Sequence, residues 1–414
     1  MLHVRHGGQA VGELRAQGRA LTFRYEASWL SRSHAFPLSP RLPLQEAEYL
    51  GDEVLSFFAN LLPEGTVLDT LRKLQRLPKG NVYKLLEAFG RECAGAFELV
   101  VEPDTNAQDP SYEPYLVEQL RGDLVALRDN IPLLQRHGEL RLSLAGAQNK
   151  IPVRYANGVL SLPVGGAAST HILKPALQPE KLYPDAVYNE ALCMRLATAI
   201  GLPVAAVELL TEPEPVLLVE RFDRVVDRAS VHRLHQLDFC QLAGLMPDQK
   251  CEADSGPGLV DVFAIVDQRS ALPARDRLQL VDWLLFNYLI GNADAHAKNV
   301  AMLYGHDGRL RLAPAYDLVS TTYWSSLSDK LAMSIGGEGR PRWVMQRHWQ
   351  KLCDEVGLNR TQLRRRSLGL IAAAGKHLVG VADALGLAQA SPLFRHIEQT
   401  VAKRGRWLED RLVA

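Results

Sequence analysis

Neither sign of charge prevails in this sequence, because 47 Lys+Arg stand against 47 Asp+Glu. A chain without net charge is not built to coat a polyanion, so any contact with nucleic acid has to be local. Long apolar runs are missing too. The longest worth testing, Trp283 to Ile290, is interrupted by Asn287 and falls far short of the roughly 20 residues that a spanning helix needs. No membrane segment is expected. Cysteine is scarce: Cys93, Cys193, Cys240, Cys251 and Cys353 are odd in number and far apart, with no C-x-x-C pair for a metal or redox site. They read as reduced bystanders. The opening residues, Met1-Leu-His-Val-Arg5-His-Gly-Gly, show no basic segment followed by an apolar core, so no secretory signal is read and the expected address is the cytoplasm. Internal repeats and low-complexity tracts are absent.

What is present is ordinary globular composition, 47% apolar and 23% charged over 414 residues, which excludes disorder as a global description. At roughly 150 residues per domain the length suggests about three units. The first thirty residues alternate as short antiparallel strands do: Leu2 to Arg5, Ala10 to Leu14 and Ala20 to Tyr25, with glycine breaks between them. Helical spacing is predicted from about Gln45 through Arg76, and again from Asn81 to Gly90. The stretch Glu102 to Tyr115 is polar, acidic and proline-containing, the composition of an exposed connection. From Gly138 the period returns to two. Glu139 to Leu144 reads as a strand, Lys150 to Tyr155 and Val159 to Val164 as a hairpin about Asn157-Gly158, and Thr170 to Lys174 as a third strand. Asp185 to Ile200 is a predicted helix closed by Gly201 and Pro203. Strands follow at Ala205 to Leu209 and Pro215 to Phe222, and everything after about Phe239 reads as helices and loops.

The chemistry concentrates after the most apolar helix, in Gly291-Asn-Ala-Asp294-Ala-His296-Ala-Lys298-Asn299 and then Leu310 to Asp317. An Asp followed five positions later by Asn has the spacing of a phosphoryl-transfer loop, in which the Asp accepts the nucleophile's proton and the Asn holds Mg²⁺. A later Asp on a short strand is the expected second ligand, since Mg²⁺ takes hard oxygens and few of them from protein. The plain alternative makes Asp294 and Asn299 loop residues that bond their own backbone after a helix end. Upstream, a strand, a loop of small residues (Ala145, Gly146, Ala147, Gln148, Asn149), a hairpin, a strand ending in Lys174 and a helix carrying Glu190 follow the order in which a kinase small lobe builds its nucleotide cover. Lys174 would supply charge to the phosphates and Glu190 would fix that lysine. Read singly, they are a solvated strand-end lysine and a helix-surface carboxylate.

Ser143-Leu-Ala-Gly-Ala-Gln-Asn-Lys150, Thr170 to Lys174, Val219-Glu-Arg-Phe-Asp-Arg224, Asp294 to Asn299 and Pro314-Ala-Tyr-Asp317, in that order, resemble the HipA-type serine/threonine kinases, toxin components of bacterial toxin–antitoxin pairs. Ser56 to Glu64 (SFFANLLPE) looks like the N-terminal subdomain of that family. The resemblance implies an α+β, bilobal kinase-like fold with a mixed sheet-and-helix N-terminal part and an all-helical C-terminal lobe, divided at 1–125, 126–224 and 225–414. It implies ATP and Mg²⁺ as cofactors, Asp294 as catalytic base, and Asn299 and Asp317 as metal ligands. Lys174 and the loop Ala145 to Lys150 would take the phosphates, the backbone of Glu220, Arg221 and Phe222 the adenine edge, and His296 and Tyr316 would line the nucleotide site. Ser143 matches the serine that such kinases autophosphorylate as an off switch, where a dianion would occupy the phosphates' place. The implied partners are a helix-turn-helix, HipB-like antitoxin, operator DNA through that complex, and a protein substrate such as an aminoacyl-tRNA synthetase, with no membrane.

The loop lacks G-x-G-x-x-G, and H-R-D and D-F-G are absent, which marks a divergent kinase class; Asn149 departs from the family pattern, standing where relatives often carry an acidic residue. Residues 360–414 hold ten Lys/Arg against four Asp/Glu, a solvated helical face or a contact for nucleic acid or an acidic protein. The alternative to an active kinase is a non-catalytic module of the same fold that sequesters the antitoxin and acts as co-repressor.

Overall fold

A computed structural model describes residues 1–18, 20–74, 76–78, 80–101, 109–128, 146, 148–227, 230–305 and 308–412. They form two compact units, the first comprising Met1–Pro175, Leu210–Pro247 and Leu303–Gly308, the second Ala176–Leu209, Asp248–Met302 and Arg309–Ala414. In the first unit the strands Leu2–His6, Gln9–Gln17 and Ala20–Tyr25 form the expected antiparallel meander, extended at one edge by Tyr49–Leu50 and at the other by Glu98–Val100. Period-two alternation puts Leu2, Val4, Leu14, Leu21 and Phe23 inside. The helix predicted across Gln45 to Arg76 is instead two helices, Asp52–Ala59 and Gly65–Leu74. Gly51 at φ +88° and Pro63, which has no N–H to donate, set the breaks.

A second sheet of the first unit runs, in order, Val216–Glu220, His171–Lys174, Ile151–Ala156, Val159–Val164, Ser111–Pro114. Its hairpin turns at Asn157 and Gly158, both with positive φ as expected. Of the stretch read as an exposed connection, residues 102–108 lie outside the described residues, and Ser111–Pro114 is an edge strand paired to Val159–Val164. A proline is tolerated there because an edge leaves one side of the ladder unbonded. The helix Val117–Arg128 covers the sheet, with Leu120, Leu124 and Leu127 in one core with Ile151, Val153, Leu173 and Leu218. Full burial of such side chains stabilises by roughly 1.5–3 kcal/mol each. The expected strand Glu139 to Leu144 lies outside the described residues.

The second unit is built round the helix Pro273–Ile290, which starts on a proline and is buried from Leu280 to Ile290 except at the half-buried Asp282. The helices Leu259–Arg269, Arg360–Ala384 and Pro392–Arg411 pack against this central helix, and Ala186–Ala199 packs against Arg360–Ala384. The expectation of an all-helical part from 225 onward does not hold. Arg224–Asp227 and Ser230–Arg233 pair as a hairpin, and Gln236–Asp238, Ala301–Tyr304 and Leu310–Leu312 are short strands. Runs of three or four residues are too short to sustain a helix of their own, and these pair as strands instead. Asp276, fully buried near the start of the central helix, accepts hydrogen bonds from the Arg311 guanidinium, the Ser270 hydroxyl and the Leu312 amide, and so ties Leu310–Leu312 to that helix.

The first unit encloses a cluster of charges. Glu92 pairs with Arg221 at 2.7 Å, Arg233 at 2.8 Å and Arg224 at 3.2 Å, and Asp223 pairs with Arg221 and Arg224 at 2.8 Å. Burial pushes the Glu92 carboxyl up, and the three guanidiniums more than offset it, holding it down at about 2. Nearby, the buried His235 stacks on Phe36 and on Tyr304 and donates from Nε2 to the Leu38 carbonyl at 2.7 Å. Burial pushes it down to about 4, so at neutral pH the ring carries its single proton on Nε2. In the unfolded chain it titrates near 6.5, so its contribution is complete above that pH and is lost as pH falls toward 4. The Glu92 contribution is lost lower, as pH falls from about 4.5 toward 2. Urea unfolding is therefore expected to show stability falling as pH goes from about 7.5 to about 5, with His235→Phe flattening the slope by up to one proton, about 1.4 kcal/mol per pH unit. An unchanged slope in that variant would refute the assignment.

Candidate functional site

The residues singled out by the sequence divide between the two units. In the first, Gly146 has φ +115°, and its carbonyl accepts the Glu64 amide at 3.0 Å. That φ is one an L side chain rarely adopts, and a Cβ built on Gly146 would lie 2.5 Å from Lys150 Nζ, which places the lysine's end against this loop. Gln148 donates from Nε2 to the Pro175 carbonyl at 3.0 Å, which joins this loop to the residue after Lys174. Asn149 is half-buried beside them. Lys174 pairs with Leu217 in the sheet and is only 5% exposed, so it is not the solvated strand-end lysine of the plain reading. Ser143, Ala145 and Ala147 lie outside the described residues.

Glu220 ends its strand, and Phe222 follows in a turn. Between them, the Arg221 guanidinium is committed to Glu92, Asp223, the Ser169 hydroxyl and the Cys93 carbonyl. Its amide goes to the Thr170 carbonyl at 3.0 Å. The part of Arg221 in the fold is structural, a role that sequence reasoning does not give it. The signal is the density of charge in Glu220-Arg-Phe-Asp-Arg224 beside the apolar run Val216 to Val219.

In the second unit the central helix ends at Gly291, φ +81°, where a Cβ would lie 2.4 Å from Thr322 Oγ1. A chain of amides then shapes the loop. Asn287 donates to the Trp283 carbonyl, Asn292 donates to Asn287 Oδ1 at 2.7 Å, and Asn292 Oδ1 accepts the Asp294 amide at 3.0 Å. The Asp294 carbonyl accepts the His296 amide and Asn299 Nδ2, both at 2.9 Å. His296 Nδ1 accepts the Lys298 amide at 3.3 Å, which leaves the ring proton on Nε2, 3.8 Å from Asp294 Oδ1. His296, Lys298 and Asn299 are buried, while the Asp294 side chain is 61% exposed. Asn287, Asn292 and Thr321 are loop-shaping residues that sequence reasoning misses, although Asn287 is visible as the break in the apolar run.

Tyr316 donates to the Lys298 carbonyl at 2.7 Å, which brings it against the same loop. Asp317 adopts φ +57°, a left-handed conformation that costs a non-glycine residue roughly 1–2 kcal/mol. Its neighbours hold it there. Ala315 exchanges backbone hydrogen bonds with Pro203 and Ala205, and Leu318 is buried. Glu190, on Ala186–Ala199, is buried and not a helix-surface carboxylate.

The donor set suits Mg²⁺. Because Asn299 commits its amide nitrogen to the Asp294 carbonyl, it has Oδ1 to offer, and Asp317 adds a carboxylate; both are hard oxygens. Among the described residues no group of three or more His, Cys, Asp or Glu forms a metal cage, and a cation completed by phosphate oxygens does not require one.

Two family models match the chain, HipA N-terminal domain over residues 2–100 and HipA-like C-terminal domain over residues 142–378. Y4mE of Sinorhizobium fredii is 37% identical over 416 residues, 98% of each chain. The serine/threonine-protein kinase toxin HipA of Shewanella oneidensis is 31% identical over 382 residues, 87% of this chain and 84% of that one. Among solved structures, the Shewanella oneidensis toxin–antitoxin complex of HipA, HipB and operator DNA contains a chain that matches with a TM-score of 0.84 at 29% identity over 100% of both chains. With both models matched in order and a relative similar along nearly its whole length, the chain belongs to the HipA family.

Proposed function

We propose that the protein is a Mg-ATP-dependent serine/threonine kinase. The observation that carries this reading is the loop after the central helix, which buries and hydrogen-bonds His296, Lys298 and Asn299 while Asp294 extends an exposed carboxylate. In this reading Asp294 accepts the proton of a serine or threonine hydroxyl as its oxygen attacks the γ-phosphorus, and the bond to the β-phosphate oxygen breaks. Lys174, Lys150 and the loop from Ala145 to Asn149 neutralise the nucleotide's phosphates, and backbone groups of Glu220 to Phe222 take the adenine. His296 and Tyr316 wall the nucleotide site. Asn299 and Asp317 hold Mg²⁺, which when bound supplies positive charge against the phosphate oxygens.

The similarity to a HipA chain solved with HipB and operator DNA supports a helix-turn-helix, HipB-like antitoxin as partner, with operator DNA reached through it. That partnership keeps the co-repressor reading in view. The protein substrate is proposed as an aminoacyl-tRNA synthetase, and Ser143 as the site of an inactivating autophosphorylation. No helix among the described residues is long and apolar enough to cross a membrane.

Incubation with radiolabelled ATP and Mg²⁺ is expected to label the protein at Ser143, with a mass gain of about 80 Da on one serine. Asp294→Asn should abolish the label; persistence of label in that variant would remove Asp294 from the chemistry. If a folded, Mg-loaded sample transferred phosphate neither to itself nor to a lysate protein, the co-repressor reading would replace the kinase one. Mg-ATP at about 100 times its Kd should add about 2.7 kcal/mol of stability, read as a rise in Tm. Asp317→Ala should lose most of that rise, and an undiminished response would argue against Asp317 as a ligand.

A further inference from the structure

Beyond Asp317 the chain makes two consecutive attachments to different elements of the second unit. Ser320, fully buried, gives its amide to Asn189 Oδ1 at 2.9 Å and accepts Asn189 Nδ2 on its carbonyl at 3.0 Å. One side-chain amide thus copies a backbone pairing, from a helix position that is itself fully buried. Thr321, the next residue, bonds a different segment. Its hydroxyl accepts the Ala293 amide at 2.7 Å and donates to the Gly291 carbonyl at 3.2 Å. The Thr322 amide reaches the same carbonyl at 3.2 Å. Farther along, Tyr323 donates to Asp185 Oδ2 at 2.7 Å and Trp324 to the Pro184 carbonyl at 2.9 Å, repeating the attachment to the start of the Asn189 helix.

The spacing gives these bonds their meaning. Ala293 is the residue before Asp294, and Ser320 is three residues after Asp317. The Ser320-Thr321 pair is therefore a rivet between the backbone that carries the proposed base and the strained backbone that carries the proposed metal ligand. Mere packing at this point would be served equally by valine, which has the size and branching of threonine but no hydroxyl. The hydroxyl instead satisfies the Ala293 amide, a donor that is costly to leave unpaired in a buried site, and adds a second bond to the Gly291 carbonyl.

We infer that Thr321 and Asn189 are positioning residues for phosphoryl transfer, Thr321 setting the Asp294 loop and Asn189 setting the segment that carries Asp317. The inference rests on the kinase reading for its functional part. Misplacing a catalytic group by about 1 Å can cost about 100-fold in rate, so Thr321→Val is expected to lower kcat by at least about tenfold while KM for ATP, measured at saturating Mg²⁺, stays within about twofold. Thr321→Ser keeps the hydroxyl and should restore kcat.

Amide hydrogen exchange at Ala293 and Asp294, and Mn²⁺ binding measured by electron paramagnetic resonance, give readouts that do not depend on turnover. Thr321→Val should speed exchange at both amides and weaken Mn²⁺ binding, and serine should reverse both. If Thr321→Val does not fold, Thr321→Ala is read against Thr321→Ser in the same assays. Unchanged kcat and Mn²⁺ affinity in a folded variant would overturn the inference, as would a loss of kcat, ATP affinity and Tm together that serine does not reverse. A wild-type protein that transfers no phosphate would defeat the kinase reading, whereas the exchange and Mn²⁺ measurements would still decide the role of Thr321.

Discussion

A carboxylate sealed from water must find its solvation within the protein, and Glu92 finds it in three arginines. The arrangement joins distant parts of the first unit. Glu92 lies between the helix Val82–Phe89 and the strand Glu98–Val100, while Arg221 and Arg224 follow the strand Val216–Glu220 and Arg233 ends the next hairpin. Such a cluster adds little net stability over well-packed apolar residues, but losing one arm strands a buried charge at a cost of roughly 3–5 kcal/mol. Through Arg221 and Arg224 it also ties the turn after Glu220 to Glu92.

The second unit meets the same constraint with neutral groups. A helix end leaves carbonyls and the following loop leaves amides without partners, and here asparagine and threonine side chains answer for them. Asn287 and Asn292 link the last turn of the central helix to the Asp294 amide, and Thr321 closes the Ala293 amide onto the Gly291 carbonyl. Neutral partners carry a smaller desolvation penalty than ions. They also leave the local field to the carboxylates and cations that the proposed chemistry uses, a division of labour that the charged cluster of the first unit could not provide beside a reacting phosphate.

Much of this is legible in the sequence where local pattern determines local structure. The alternation of Leu2 to Tyr25, the Asn157-Gly158 turn and the capped helix at Asn81 correspond to elements at those places. Reading fails where a partner distant in sequence decides the outcome. Ser111–Pro114 has the composition of a loop and becomes a strand because the edge of Val159–Val164 accepts it. Lys174 and Glu190, taken singly, have the character of surface charges, since burial of an ion depends on what the rest of the chain packs around it. Thr321 and Asn189 carry no motif at all, because each acts through backbone atoms of residues far away in the chain, Ala293 for the one and Ser320 for the other.

The two readings of Asp294 and Asn299, as a self-bonded loop or as a catalytic pair, prove not to be rivals. Asn299 does bond the loop's own backbone, through Nδ2 to the Asp294 carbonyl. An amide has a second polar atom, however, and fixing one end fixes where the other points. Asp294 is engaged through its amide and carbonyl, so the loop's rigidity is built on main-chain groups while the carboxylate stays largely in solvent. Loop bonding of this kind fixes the backbone on either side of the Asp294 side chain, and a fixed position is what the proposed role as base asks of it.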